Sequence, residues 1–323
     1  MRNLTLRQLR SVQAISRHGT VAAAARQIGL TAPAVTLQIK QMEDEFGVSL
    51  FDRTSDGMRL TTAGAAVLAA ANTVETTLRA LSDEIAAVKG VRTGTIRLGV
   101  VSTAKYFAPR LIAGFQKDYP GIEMRLKVGN RDEIVSDLKE YRLDIALMGR
   151  PPLTFPVASI CFGDHPLVMI APPDHPLAGA CEIGRERLLE ETFIIREQGS
   201  GTRTALEIFF GDHLDQLQAR SVEMGSNETI KQAVMAGLGI AFISAHTIAF
   251  EVEMNRLAVL DVSGMPIRRK WYAVCRKERI SSPVEIAFKT FLVKKGATHL
   301  PLLGRLYPAE GVEETAGRSA YSR

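Results

Sequence analysis

Hydrophobic positions in the first part of the chain recur at helical spacing. Val35, Ile39, Met42 and Phe46 are separated by four, three and four residues, the stripe that one face of an α-helix buries. At about 100° per residue, the opposite face of TAPAVTLQIKQME, residues 31–43, carries Pro33, Thr36, Leu37 and Lys40. That face is small, flat and mildly basic. Upstream, Leu6, Leu9, Val12 and Ile15 predict a helix over 5–18 that Gly19 ends. Val21, Ala24, Ala25 and Ile28 predict a second helix, stopped by Gly29. Thr20 and Thr31 stand where capping hydroxyls belong, and Pro33 suits a first turn. Helix, glycine turn and helix make a helix-turn-helix. After Phe46, SLFDR and MRL flank Asp56-Gly57, a hairpin signal that predicts a wing.

Residues 63–90 predict one long helix. Val67, Ala71, Val74, Leu78, Leu81, Ile85 and Val88 alternate four- and three-residue steps, the seam of a coiled coil. A second copy of the chain would cover this seam, so the expectation is a homodimer or tetramer; packing against the chain itself is the alternative.

From Gly94 the pattern changes to strands alternating with helices. TIRLGVV, IEMRLKV and DIALMG read as strands around the helices APRLIAGFQKDYP and DEIVSDLKEY. A second run holds LVMIAP, FIIRE, TRTALEIFF, SVEM, NETIKQAVMAG and IAFIS, then the strand RRKWYAVCRK and the helix PVEIAFKTFLVKK. This order predicts two α/β lobes joined by crossing strands. The fold class is therefore α/β behind a helix-rich N-terminal winged helix-turn-helix. The expected bounds are 1–62 for the winged unit and 63–91 for the linker helix. They are 92–303 for the two-lobed unit, with lobe one at 92–162 and 268–303 and lobe two at 163–267. A mobile tail is expected at 304–323.

Charge sharpens the N-terminal reading. The net charge is +5. Residues 1–42 carry six basic residues (Arg2, Arg7, Arg10, Arg17, Arg26 and Lys40) and no acidic one, whereas the remainder holds 34 basic against 35 acidic. A localised excess is an electrostatic footprint for a polyanion; a solvated helical face is the blander alternative. In a winged helix-turn-helix the second motif helix enters the major groove. Thr36 then suits a base edge or a phosphate, and Leu37 a thymine methyl, unless Leu37 meets the wing or a second subunit. Lys40, Arg53 and Arg59 suit phosphates.

Ligands of open α/β sheets sit beyond the carboxyl ends of strands. Those ends are Ser102-Thr103, Gly149-Arg150, the loop 198–202, and Ser226-Asn227. In EQGSGTR, Gly199 and Gly201 turn backbone N–H groups toward a ligand, Ser200 and Thr202 add hydroxyls, and Arg203 adds charge, all at a helix N-terminus that favours an anion. A plain strand-to-helix turn is an equally good reading of the loop, and a plain helix cap is the more ordinary reading of Ser226 or Asn227.

Enzymatic motifs are absent: the chain has no HExxH or GxSxG and no paired metal-ligand spacing. His165 and His175 precede Pro in loop-like stretches, and His246 follows a strand without an evident partner. Neither catalysis nor a bound metal or cofactor is expected. Cys161, Cys181 and Cys275 form no CxxC and read as reduced core thiols. No apolar run reaches the roughly 18 residues of a membrane helix. The start, MRNLTLRQLR, lacks a signal-peptide core, and a cytoplasmic protein is expected.

The stretch LRQLRSVQAISRHGTVAAAARQIGLTAPAVTLQIKQMEDEFGVSLFDRTSDGMRLTTAG resembles the winged helix-turn-helix of LysR-type transcriptional regulators. The resemblance implies a linker-helix dimer, often a dimer of dimers, and a periplasmic-binding-protein-like effector domain. It implies DNA contacts from Ala32, Pro33, Thr36, Leu37 and Arg53. Many relatives carry Gln at the position of Ala32 and Ser at that of Thr36, and Ala32 offers a base no hydrogen bond. DIALMGRPP, PLVMIAPPDHPLAG, REQGSGTRTALEIFF, MGSNETIKQAVMAGLGIAFISAHT and LDVSGMPIRRKWYAV are similar to the regulators of RuBisCO (Calvin-cycle, cbb) operons. That narrower resemblance implies activation of carbon-fixation genes, and RNA polymerase is the partner expected to be recruited. It also implies a small-molecule effector, either a phosphorylated sugar such as ribulose bisphosphate or NADPH.

Overall fold

The computed structural model describes residues 4–88 and 93–302, with the backbone alone at 83 and 86–88. The expectations for the Val88 side chain and for 304–323 lie outside the described residues.

Helix α1 (Leu6–His18) starts on a capping box between Thr5 and Gln8. Thr20 caps α2 (Val21–Gln27) and Thr31 caps α3 (Ala32–Phe46), each accepting a backbone N–H three residues on. The wing pairs β1 (Phe51–Thr54) with β2 (Gly57–Leu60), Phe51 opposite Leu60 and Thr54 opposite Gly57. Val12, Ile15, Ala24, Val35, Met42 and Leu50 are wholly buried between these pieces. The wing is held close: the Met58 N–H donates to the Gly19 carbonyl at 2.7 Å. Gly57 has φ +129, and a Cβ there would sit 2.5 Å from the same oxygen. Only glycine fits.

Helix α4 (Thr62–Val88) spans 27 residues, about 40 Å at 1.5 Å per residue. The structure divides its apolar seam. Val67, Ala71 and Val74 pack on the α1–α3 core of their own chain, because α1 lies alongside and covers them. Leu78, Leu81 and Ile85 stay exposed, at 38%, 51% and 49%.

The rest is built on one sheet. Its first half contains β3 (Gly94–Val101), α5 (Ala108–Asp118), β4 (Ile122–Gly129), α6 (Arg131–Lys139) and β5 (Ile145–Met148). A long β6 (Val157–Ala171) leads into the second half: α7 (Arg185–Leu188), β7 (Phe193–Arg196), α8 (Gly201–Phe210), α9 (Leu214–Ala219), β8 (Ser221–Met224), α10 (Asn227–Met235), β9 (Ile240–Ser244), α11 (Ala249–Glu253) and β10 (Ala258–Val259). The chain returns through β11 (Ile267–Arg276) and ends in α12 (Pro283–Lys295). The sheet order is β4-β3-β5-β11-β6-β9-β7-β8, with β10 on β6. Two parallel triplets, β4-β3-β5 and β9-β7-β8, are thus joined by the antiparallel ribbon β6/β11. One core gathers around Phe107, Phe115, Trp271 and Phe288, the other around Phe193, Phe210 and Ile240.

Two expectations are corrected. Cys161 and Cys181 are exposed, and only Cys275 is a core thiol. Strand side chains alternate in direction; Phe162 takes the core-facing place in β6, so Cys161 faces out. His165-Pro166 is not a loop but lies inside β6. Around Pro166 the strand pairs only with β11, since β9 pairs from Leu167 onward. On such an edge the missing proline N–H leaves no ladder bond unmade. His175 does lie in a turn, its ring nitrogen accepting from the Leu177 N–H at 3.2 Å.

Candidate functional site

Two surfaces carry chemistry. On α3, Pro33, Thr36, Leu37 and Lys40 are exposed and Ala32 is half-buried. Leu37 is 56% exposed. The Thr36 hydroxyl donates to the Ala32 carbonyl at 3.0 Å, which leaves its lone pairs to accept from outside. Thr36, Lys40 and Arg53 line one groove of about 700 Å³ between α3 and the wing. Arg59 is also exposed, but it pairs across the hairpin with Asp52 while Arg53 pairs with Met58. Adjacent pairs face opposite ways, so Arg59 projects from the other side of the wing. The Glu43 carboxylate accepts from the Leu50 N–H at 2.7 Å and ties the groove's two walls together; neither the helical stripe nor the hairpin signal pointed to it.

The second surface is a cleft of about 370 Å³ where the triplets meet. Ser102, Thr103, Gly149, Arg150, Gly199, Ser200, Gly201 and Thr202 all line it, as the strand ends predict. Ser200 caps α8 by accepting the Thr202 N–H at 3.3 Å. Gly199 has φ +79, and a Cβ there would press on the Asp132 carboxylate at 2.9 Å.

Arg203 and Asn227 do not reach the cleft. One residue turns a helix by about 100°, so with Thr202 and Thr204 facing the cavity Arg203 faces the sheet. There it bonds the Arg196 carbonyl at 3.1 Å, Glu207 at 2.9 Å, and Glu223. Asn227 is buried, its side-chain oxygen accepting from Arg196. Arg196 also donates to the Ser102 hydroxyl at 3.0 Å. With the Asp132 N–H to the Gly199 carbonyl at 3.3 Å and the Tyr106 hydroxyl to Glu228 at 3.1 Å, it clasps the two lobes.

The cleft also holds residues that the sequence pattern did not reveal. Arg131 opens α6, and Arg269 and His165 face each other as ladder partners on β11 and β6. Arg131, Arg150 and Arg269 therefore converge on one cavity. Burial, then Arg150 and Arg131, hold Arg269 below the ordinary guanidinium value. Burial also lowers Arg131, with Asp132 opposing and Arg150 adding to the effect. Guanidiniums that repel one another in a half-dry pocket make a site for an anion. His246 has a partner after all: it accepts from the Trp271 indole N–H at 3.1 Å, and burial pushes it down to about 4. Among the described residues no cluster of His, Cys, Asp and Glu could hold a metal ion, and no helix is long and apolar enough to cross a membrane.

Residues 6–65 match the family model for the bacterial regulatory helix-turn-helix protein of the lysR family, and residues 89–297 match the LysR substrate binding domain. The chain belongs to the LysR family of transcriptional regulators. This LysR-type regulator is 55% identical over 309 residues to the HTH-type transcriptional regulator CbbR of Rhizobium meliloti, covering 96% of this chain and 99% of that one. It is 45% identical to the RuBisCO operon transcriptional regulator of Allochromatium vinosum, over 91% and 97% of the two chains. Among solved structures it resembles the regulatory domain of Synechocystis PCC6803 CcmR in complex with 2-PG, at 40% identity and a TM-score of 0.59, covering 62% of this chain and 97% of that one. The LysR-type regulator is a DNA-binding protein and not an enzyme, and its winged head and two-lobed domain are those its sequence predicts.

Proposed function

We propose that this regulator controls a RuBisCO operon, activating Calvin-cycle genes when a small phosphorylated metabolite binds in the cleft. The convergence of Arg131, Arg150 and Arg269 on the N-terminus of α8 carries the effector reading. The names of the relatives at 55% and 45% identity support the operon, and the 2-PG complex of the CcmR domain supports a phosphorylated ligand. Ligand cavities run from roughly 300 to 1,000 Å³. A volume of about 370 Å³ suits a sugar phosphate such as ribulose bisphosphate better than a dinucleotide such as NADPH.

In this reading Ala32, Pro33, Thr36 and Leu37 meet the major groove, Lys40 and Arg53 meet phosphates along it, and Arg59, on the other side of the wing, meets the neighbouring backbone. Ser102, Thr103, Gly149, Arg150, Gly199, Ser200, Gly201 and Thr202 hold the effector. Leu78, Leu81 and Ile85 join two copies in a dimer or tetramer, so that paired heads read a near-palindromic promoter in the cytoplasm and recruit RNA polymerase. The ligand acts through differential affinity for two lobe arrangements. Helix α6 links cleft to head: it starts at Arg131 in the cleft, and the Glu140 carbonyl beyond its last turn accepts from Asn72 of α4 at 2.8 Å. Asn72 in turn accepts from Gln13 of α1 at 2.9 Å.

The test is a titration of the purified protein onto DNA upstream of the source's RuBisCO operon at fixed salt. It is run alone and with ribulose bisphosphate, 2-PG or NADPH. Specific binding whose affinity or footprint shifts with a phosphorylated ligand is expected. Binding no tighter than to random DNA would remove the operon assignment and favour another metabolic operon.

A further inference from the structure

His165 sits on the cleft floor where β6 and β11 cross, 6% exposed. Its ring stacks on Trp271 with centroids 3.8 Å apart and planes at 17°. The indole N–H is already given to His246, so Trp271 offers His165 a face and no hydrogen bond. Gly149 makes room at the ring edge: a Cβ there would lie 2.6 Å from Nδ1. Among the described residues neither His165 nitrogen has a hydrogen-bond partner. Buried polar atoms are ordinarily paired, and an orphan needs a reason. Here the ring lines the same cavity as the three arginines.

We infer that His165 is a neutral hydrogen-bond donor of the effector site, its ring N–H serving an anionic oxygen that Arg131, Arg150 and Arg269 hold. This rests on the anion-site reading of the cleft above. A neutral imidazole suits the position better than a fourth cation. It adds a directed bond without adding repulsion to guanidiniums that already crowd one another. Arg269 across the ladder and His246 beyond Trp271 disfavour a charged ring, and Arg150 follows Gly149 at its edge. Asp164, beside it in the chain, would favour the charged form but is exposed and paired with Lys270. Burial, His246 and Arg269 together hold its proton affinity well below the usual 6.5. The ring thus costs stability in the empty protein and repays it only when a ligand arrives.

The experiment uses the full chain as wild type, His165→Phe, His165→Gln and Arg150→Gln. Calorimetric titration uses ribulose bisphosphate and 2-PG as probes, and melting is followed without ligand. Phenylalanine keeps the stack on Trp271 and removes both orphaned nitrogens; glutamine restores a donor. The expected result is about 10–100-fold weaker probe binding by His165→Phe, in the range of one hydrogen bond to a charged group. Its ligand-free melting temperature should equal or exceed that of wild type, and His165→Gln should recover part of the affinity. Unchanged probe binding by His165→Phe while Arg150→Gln loses it would overturn the role of His165 alone. A fall in ligand-free melting temperature of both His165 variants, in step with lost binding, would make the residue structural and also overturn it. Failure of the wild type to bind either probe, or undiminished binding by Arg150→Gln, would overturn the anion site itself.

Discussion

The α3 face and the cleft solve recognition in opposite ways. The α3 face is contiguous in sequence and exposed: Pro33, Thr36, Leu37 and Lys40 lie on one side of one helix. The cleft is assembled from the ends of β3, β5 and β7, the starts of α6 and α8, and the crossover of β6 and β11. A surface that meets a large polyanion can stay hydrated and gains affinity from many weak phosphate contacts. A pocket for a small anion must concentrate charge in little volume and keep water out, so its parts come from everywhere.

The contiguous face is also incomplete. In the proposed dimer one helix and one wing cover a half-site, and a second head supplies the remainder of the affinity. Leu81→Asp, or Ile85→Asp, puts a charge on the exposed stripe of α4 without touching the α1–α3 core. It should yield monomers in analytical ultracentrifugation and cut operator affinity by about 100–10,000-fold, the advantage that linked binding confers. Unchanged sedimentation would remove α4 as the joining surface.

The cleft should break separately. Arg269→Gln removes one of three convergent guanidiniums in the cleft. Ribulose bisphosphate affinity should fall by roughly 10–150-fold, the value of one or two charge-assisted bonds. Operator affinity without ligand should stay within error of wild type. A variant that lost both would contradict the independence of the two surfaces.

How much of this was legible follows from the same contrast. The head was readable because helical stripes, threonine caps and the Asp56-Gly57 turn are local signals. The loop 198–202 was readable because glycines between a strand and a helix mark a strand end. Arg269 and His165 were not: RRKWYAVCRK announces a strand but not which residue faces a cleft. His165-Pro166 imitates a turn unless one knows that this stretch of β6 has a neighbour on one side only. Arg203 misled for a related reason, since a helix start does not say which way each residue of the first turn points. The seam of α4 is continuous in sequence, and only the packing of α1 shows that its first half is used within the chain.

The two-lobed domain should also respond to acid through its buried histidines. His246 has its folded value pushed down to about 4 from 6.5 by burial, and His165 shifts the same way. Between these values the unfolded chain binds more protons than the folded one, so stability rises with pH across the window and is lost as pH falls from 6.5 toward 4. For His246 alone the loss at pH 5 relative to neutral is roughly 2 kcal/mol. Thermal unfolding of wild type and His246→Gln at pH 7.5 and 5.0 checks this: the variant's melting temperature should depend less on pH. Parallel profiles would mean that His246 titrates alike folded and unfolded.

The smallest expected effect concerns the link between the surfaces. Asn72 is half-buried on α4, its amide shared between Gln13 of the head and the Glu140 carbonyl at the end of α6. Helix α6 is about 14 Å long at 1.5 Å per residue, and its other end carries Arg131 into the cleft. If a ligand draws Arg131 inward, this short rod would move, and Asn72 is one point at which the movement would reach the head. Asn72→Ala removes both bonds and touches neither DNA nor ligand. Ribulose bisphosphate affinity and ligand-free operator affinity should each stay close to wild type. The ligand-induced change in operator affinity should shrink by roughly 0.5–2 kcal/mol, or about 2–30-fold. Operator titrations with and without ribulose bisphosphate, on wild type and variant, measure that difference directly. A full response in Asn72→Ala would mean that the lobes signal to the heads through the joined copies and not through α6.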